Sequence, residues 1–207
     1  MPSIKYVSSS EIFTCAASRI KQTNIILDIG CGIKPTPYIK PKLHICCEPY
    51  AEYLQHLKQH APKDREFVLI NSTWDIIKHF PAQSVDTVIF TDVIEHLKKE
   101  EGKMLIKEAE RVAKVQVILF TPLGFMPQQH PDGKDAWGFS GGKWQEHHSG
   151  WDLQDFDDPW ELIVCQDLYD KNNVGQALSK PHGAFWAILN KNGTGQAEAI
   201  SVLYPGK

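Results

Sequence analysis

Asn24 to Gly32 reads NIILDIGCG, a short continuous apolar run that ends in an acid and two spaced glycines. A strand buried on both faces has this texture when it leaves a parallel sheet into a loop. Working outward, LHICCE (43–48) and EFVLI (66–70) repeat the pattern, as do SVDTVIF (84–90), VQVILF (115–120), WELIVC (160–165) and AFWAILN (184–190). Between these runs the period changes from strand to helix. Ser8 and Glu11 form a capping-box pair ahead of Ile12, Phe13, Ala16, Ala17 and Ile20, and Tyr53, Leu54 and Leu57 mark a helix over 50–59. Ile94, Leu97, Leu105, Ala109 and Val112 mark another over 92–113, interrupted near Gly102. Alternating strands and helices predict an open α/β sheet covered by helices on both faces. The last two runs pair as a hairpin, which adds an antiparallel edge.

The 207 residues form one domain, 1–207, in which about 70% of the unfolded surface can be buried. Hydrophobic residues at 42% and charged residues at 23% exclude wholesale disorder. Lys+Arg 22 against Asp+Glu 25, with no basic run, speaks against a nucleic-acid partner. Five cysteines without a CxxC pair suit reduced thiols, and no apolar stretch reaches the ~18 residues of a membrane span. The expectation is a soluble, cytoplasmic protein.

In such sheets ligands bind beyond the carboxyl ends of the strands, where strand order reverses. Those ends carry Asp28, Gly30, Cys31 and Gly32; Glu48; Asn71, Ser72 and Thr73; and Thr91 with Asp92. Glycine lets the backbone approach a ligand closely. Glu48 follows Gly30 by 48 − 30 = 18 residues, about the separation at which an acid accepts hydrogen bonds from ribose hydroxyls. A dinucleotide fingerprint requires a third glycine at 35 and a helix start for the pyrophosphate, but Pro35, Pro37 and Pro41 occupy this segment. That disfavours an NAD-binding oxidoreductase.

ILDIGCG at 26–32, the acid of CCEPY and SVDTVIFTDVIEHL at 84–97, in this order and spacing, resemble the class I S-adenosylmethionine-dependent methyltransferases of the small-molecule type. The resemblance runs from about Asn24 to Phe125. It implies a Rossmann-like, seven-stranded sheet, mostly parallel with one antiparallel strand, and S-adenosyl-L-methionine as cofactor. It also implies roles: Asp28 and the Gly30-Cys31-Gly32 backbone at the methionine end, Glu48 on the ribose, Asn71 to Thr73 near adenine, and Thr91 with Asp92 beside the methionine moiety. Lys34 stands where many members carry a third glycine, and Asn71 where many carry an acid.

Methyl transfer from a sulfonium needs alignment and exclusion of water, with a base to help an acceptor hydroxyl. His96 and His148 are the candidate bases; a cap or packing role is the competing account of His96. Asp92, Glu95 and His96 would share one helix face and so could hold a divalent cation, but an acid favoured by the helix dipole explains them as well, and no metal is expected. Residues 121–150 form a long loop, rich in Gly, Pro, His and Trp, that reads as a substrate-side lid. Within it Phe125, Trp144 and His147 offer the mixture of ring faces and polar groups that binds a phenol or a sugar. Ser149, Trp151 and Phe156 read as the cap and core face of a short helix.

The expected activity is methyl transfer to an oxygen, with nitrogen second, of a small molecule, a sugar or glycan being one candidate. A methyltransferase-fold binding module without turnover is the alternative. Gly30→Val should abolish binding of S-adenosylmethionine in calorimetry, because a branched side chain would enter the ligand's path; unchanged affinity would contradict the loop assignment.

Overall fold

The computed structural model describes residues 1–191, so the stretch 192–207 of the expected domain lies outside the described residues. Among the described residues eight strands form one sheet: β1 (Ser3–Tyr6), β2 (Ile25–Ile29), β3 (Leu43–Glu48), β4 (Glu66–Asn71), β5 (Val85–Thr91), β6 (Ala113–Pro122), β7 (Glu161–Lys171) and β8 (Ala177–Asn190). Their order is β1-β7-β8-β6-β5-β2-β3-β4. Only β8 runs antiparallel to its neighbours, β6 and β7. The chain builds outward from β2 through β3 to β4, then restarts at β5 on the other side of β2. That reversal places a cleft between the carboxyl tips of β2 and β5.

Seven of the strands coincide with the apolar runs. The eighth, β1, corrects the count of seven and also the placement of the hairpin, because it pairs outside β7 and becomes the edge itself. Its four side chains are all exposed, so it has no apolar alternation to betray it. It is held through its backbone: Ser3 N–H donates to Trp160 O at 3.0 Å and Val7 N–H to Val164 O at 2.9 Å.

Helix α1 (Ile12–Ala17) and helix α2 (Ala51–His60) cover one face, and α3 (Lys99–Val112) covers the other. Alternation along the strands divides the core: Ile26, Ile89 and Ile118 pack with Ile12 and Ala16, whereas Leu27, Val88, Phe90 and Leu119 pack with Leu105, Ala109 and Val112. Each of these side chains is fully buried, which contributes about 1.5–3 kcal/mol apiece for the larger ones. Cys46 and Cys47 are buried on opposite faces of β3. After Gly32 the proline-bearing segment 33–42 runs as turns rather than as a helix.

Two helix expectations are corrected. Residues 92–98 hold only a 3-10 turn at Ile94–His96, and α3 then continues through Gly102 without interruption. Around Trp151 there is likewise no α-helix but a 3-10 turn at Leu153–Asp155. Trp151 and Phe156 are nonetheless buried, and Trp151 Nε1–H donates to Ser149 Oγ at 3.0 Å. The same indole explains Gly102. A Cβ on that residue would lie 2.3 Å from Trp151 Cζ2, and Lys99 Nζ caps the ring at 3.9 Å from its centroid.

Helix propensity alone favours Gly102→Ala by about 1 kcal/mol. The Trp151 contact reverses the sign, and we expect a net loss of about 1–3 kcal/mol in denaturant titration. A stabilised Gly102→Ala chain would contradict this packing.

Candidate active site

The tips of β2 to β5 surround a cavity of about 930 Å³, at the upper end of the ~300–1,000 Å³ range of small-molecule sites. Its wall at one end is the turn after β2. Gly30 and Gly32 adopt left-handed conformations, φ +67° and +56°. A Cβ at Gly30 would lie 2.6 Å from Val93 Cγ2, and one at Gly32 would lie 2.9 Å from the Trp137 ring. Glycine is therefore required at both positions by conformation and by space.

Glu48, at the tip of β3, fixes this turn. Its Oε2 accepts the Gly32 N–H at 3.0 Å and its Oε1 the Tyr50 N–H at 3.0 Å. The side chain is buried, and loss of water lifts its carboxyl to about 7 despite those two donors, with the nearby Asp28 adding to the rise. Asp28 itself lies off the cavity wall, on the α2 side of the sheet. Its Oδ2 pairs with His44 Nε2 at 2.9 Å and accepts the Thr36 N–H at 3.2 Å. Burial opposes charge on His44, but the bonds to Asp28 and Cys46 outweigh it and raise the imidazole to about 9.

Asn71 is also turned from the cavity. Its amide donates to the carbonyls of Glu48 and Pro49, both at 2.9 Å, and so shapes the exit of β3. Cys31, Ser72, Thr73, Thr91 and Asp92 do line the wall with Gly30, Gly32 and Glu48. Asp92, a non-glycine residue at φ +53°, opens into the cavity while ringed by protein, and removal from bulk water lifts its carboxyl to about 7.

The far end of the cavity gathers His96, His147, His148, Trp144 and Tyr169. Phe125 is not among them; it is 53% exposed, and its backbone packs closely against Gly150. Burial pulls His96 down to about 4, with His147 adding to the fall, so both imidazoles are uncharged near neutrality. Burial, and then Asp92, push the Glu95 carboxyl well above its ordinary range.

The long loop is built around one carboxylate. Asp135 accepts N–H bonds from Trp137, Phe139 and Gly141 and an O–H bond from Tyr53 at 2.5 Å, which ties the loop to α2. Burial alone would raise this carboxyl, but the four donors hold it below its ordinary range. Tyr169 on the cavity wall and Asp135 in the loop are residues that the sequence does not single out. Glu95 was legible through its place beside His96, whereas Tyr169 and Asp135 carry no motif.

Residues 27–121, from β2 to the end of β6, match a family model described as methyltransferase domain. That stretch, 95 of the 207 residues, is similar to the methyltransferase domain. The chain's eight-stranded sheet meets the expectation of the Rossmann-like methyltransferase fold, with one strand more than the seven predicted. The acceptor-side loop and the β7–β8 hairpin lie outside the matched residues. TehB from Haemophilus influenzae superposes with a TM-score of 0.56 at 14% identity, over 84% of this chain and 60% of TehB. The YcgJ protein from Bacillus subtilis gives 0.53 at 14% identity, over 84% of this chain and 95% of that one. Magnesium protoporphyrin IX methyltransferase from Synechocystis PCC 6803, solved with bound SAH, gives 0.51 at 15% identity, over 86% and 80%. At these identities the likeness is one of fold. No curated protein sequence matches the chain. No helix of the described residues is long and apolar enough to cross a membrane.

The Asp28–His44 pair makes the methyltransferase domain sensitive to alkali. His44 has a folded value, about 9, above its unfolded 6.5, so its contribution is complete below pH 6.5 and is lost as pH rises through 9. We expect thermal stability to fall across that window by an amount on the order of 3 kcal/mol. His44→Gln should start lower, because it strands a buried Asp28, and lose the slope; an identical slope would contradict the pairing.

Proposed function

We propose that the protein transfers the methyl group of S-adenosyl-L-methionine to an oxygen of a small acceptor, with carbohydrates one acceptor class. The observation that carries this reading is that the glycine turn, the Glu48 carboxylate and the histidine cluster open into one cavity. The cofactor, when bound, supplies a methyl group activated by a sulfonium. Glu48 has lone pairs left for ribose hydroxyls after accepting the Gly32 and Tyr50 N–H groups, and the left-handed glycines leave backbone room beside it. Ser72 and Thr73 lie where adenine would rest, with Thr91 and Asp92 toward the methionine end. The turns over 33–42 present no helix N-terminus to a pyrophosphate, which argues against the nicotinamide dinucleotide reading.

At the acceptor end Trp144 supplies a ring face and His147 a polar edge. His96 acts on the acceptor oxygen, and His148, exposed on the wall, receives its proton. The loop pinned by Asp135 excludes water above them. Residues 121–150 thereby serve as the substrate-side lid.

Incubation with methyl-labelled donor and a panel of sugars, phenols and hydroxy acids tests the activity; donor bound but never consumed across the panel favours a binding module instead. Glu48 provides a second check. Ribose hydroxyls donate to its ionised form, so donor affinity should tighten as pH rises from 6 to 8, by up to about tenfold per unit, with proton release in calorimetry. Affinity flat in pH would contradict the Glu48 assignment. With the acceptor identified, His96→Ala should lower kcat by about 10²–10⁴-fold and leave donor affinity unchanged.

A further inference from the structure

We propose that Glu95, His96 and His147 form a divalent-cation site at the acceptor end of the cavity, and that its ligand is a molecule with two adjacent oxygens. The three side chains each offer one ligand atom, and these atoms lie within 4.8 Å of one another. The hydrogen bonds around them leave the required atoms free. His96 Nδ1–H donates to Glu146 O at 3.1 Å, and His147 Nδ1–H donates to Met126 O at 2.6 Å. A carbonyl can only accept, so both Nδ1 atoms carry the proton and both Nε2 atoms keep a lone pair. This backbone support of the outer nitrogen is the arrangement that orients metal-binding histidines.

The carboxylate is held in the same way. Glu95 Oε2 accepts from Thr121 Oγ1 at 3.0 Å, while Oε1 has no partner among the described residues although Glu95 is only 2% exposed. A carboxylate oxygen buried without a donor is costly unless a cation satisfies it. The fold brings these groups together through the backbone as well: Glu95 O accepts the His148 N–H at 2.7 Å and the Ser149 N–H at 3.1 Å, which seats His147 beside a turn some fifty residues earlier in the chain.

Two imidazole nitrogens and one carboxylate oxygen suit zinc, manganese, iron(II) or cobalt(II) better than calcium or magnesium, which favour all-oxygen shells. Three protein ligands on a cavity wall leave positions open for a ligand, as in catalytic rather than structural sites. Two adjacent oxygens, such as a vicinal diol, a catechol or an α-hydroxy acid, fill two such positions at once, and the ion makes a bound hydroxyl easier to ionise. The ion site stands on the geometry alone. The identity of the acceptor as an adjacent-oxygen compound rests on the methyl-transfer reading, and in that reading His96 acts on the acceptor oxygen through the ion.

Chelator-stripped full-length chain titrated with cobalt(II) alone tests the site without any methyl donor, so its outcome is separate from that of the labelling assay. We expect one ion per chain with nitrogen and oxygen ligand-field bands, and at least tenfold weaker binding in both Glu95→Gln and His147→Gln. His147→Gln, in the partly exposed loop, keeps the test valid where Glu95→Gln fails to fold. No binding, or equal affinity in the folded variant, overturns the proposal. An intense sulfur-to-cobalt band also overturns it, since it places the ion in the buried Asp28–His44–Cys46 group on the other side of the turn. Catechol should then shift the cobalt spectrum and phenol should not; equal shifts, or none, overturn the adjacent-oxygen ligand.

Discussion

The carboxylate of Glu48 is the point on which the strand tips converge. Its two oxygens hold the Gly32 N–H of the turn after β2 and the Tyr50 N–H that starts α2. Its own carbonyl receives the Ser72 N–H and the Asn71 amide from the tip of β4. One residue thus sets the mutual position of three loops, which is what a cofactor-sized cavity requires. The cost is a carboxyl forced out of water, and its raised value, about 7, is the trace of that cost.

The sheet supplies the rest by topology. Restarting at β5 beside β2 opens the cleft, and the positive φ of Asp92 turns the chain sharply back over it. Glu95 then binds the loop backbone at His148 and Ser149, and Trp151 locks the loop's base into the space left by Gly102. Asp135 and Tyr53 hold the loop's middle over Gly32. The two ends of the cavity are therefore built by different means: the donor end by strand tips, the acceptor end by a loop drawn down onto a buried glutamate.

Much of this was legible in the residues. β2 and β3 were visible because both of their faces are largely buried and apolar residues fill most of each run. Ser8 and Glu11 signalled α1, where the Glu11 carboxylate accepts the Ser8 N–H at 3.2 Å and no side chain caps the helix itself. What escaped has physical causes. β1 pairs through its backbone alone and carries no pattern. Gly102 read as a helix breaker because its partner, Trp151, is about fifty residues away. Asp28 and Asn71 sit at the expected positions of strand tips, yet their side chains satisfy His44 and the Glu48–Pro49 carbonyls, and sequence spacing cannot say which way a side chain turns. The histidine-rich loop announced a site by composition, while the carboxylate that shapes it, Asp135, looked like any polar loop residue.

The central claim is that the tips of β2 to β5 hold the adenosyl donor. Hydrogen exchange with and without S-adenosylmethionine tests it most directly. Slower amide exchange confined to residues 29–33, 47–50, 72–75 and 91–96 is the expected result; no protection in these four segments, or protection found only elsewhere, would contradict it.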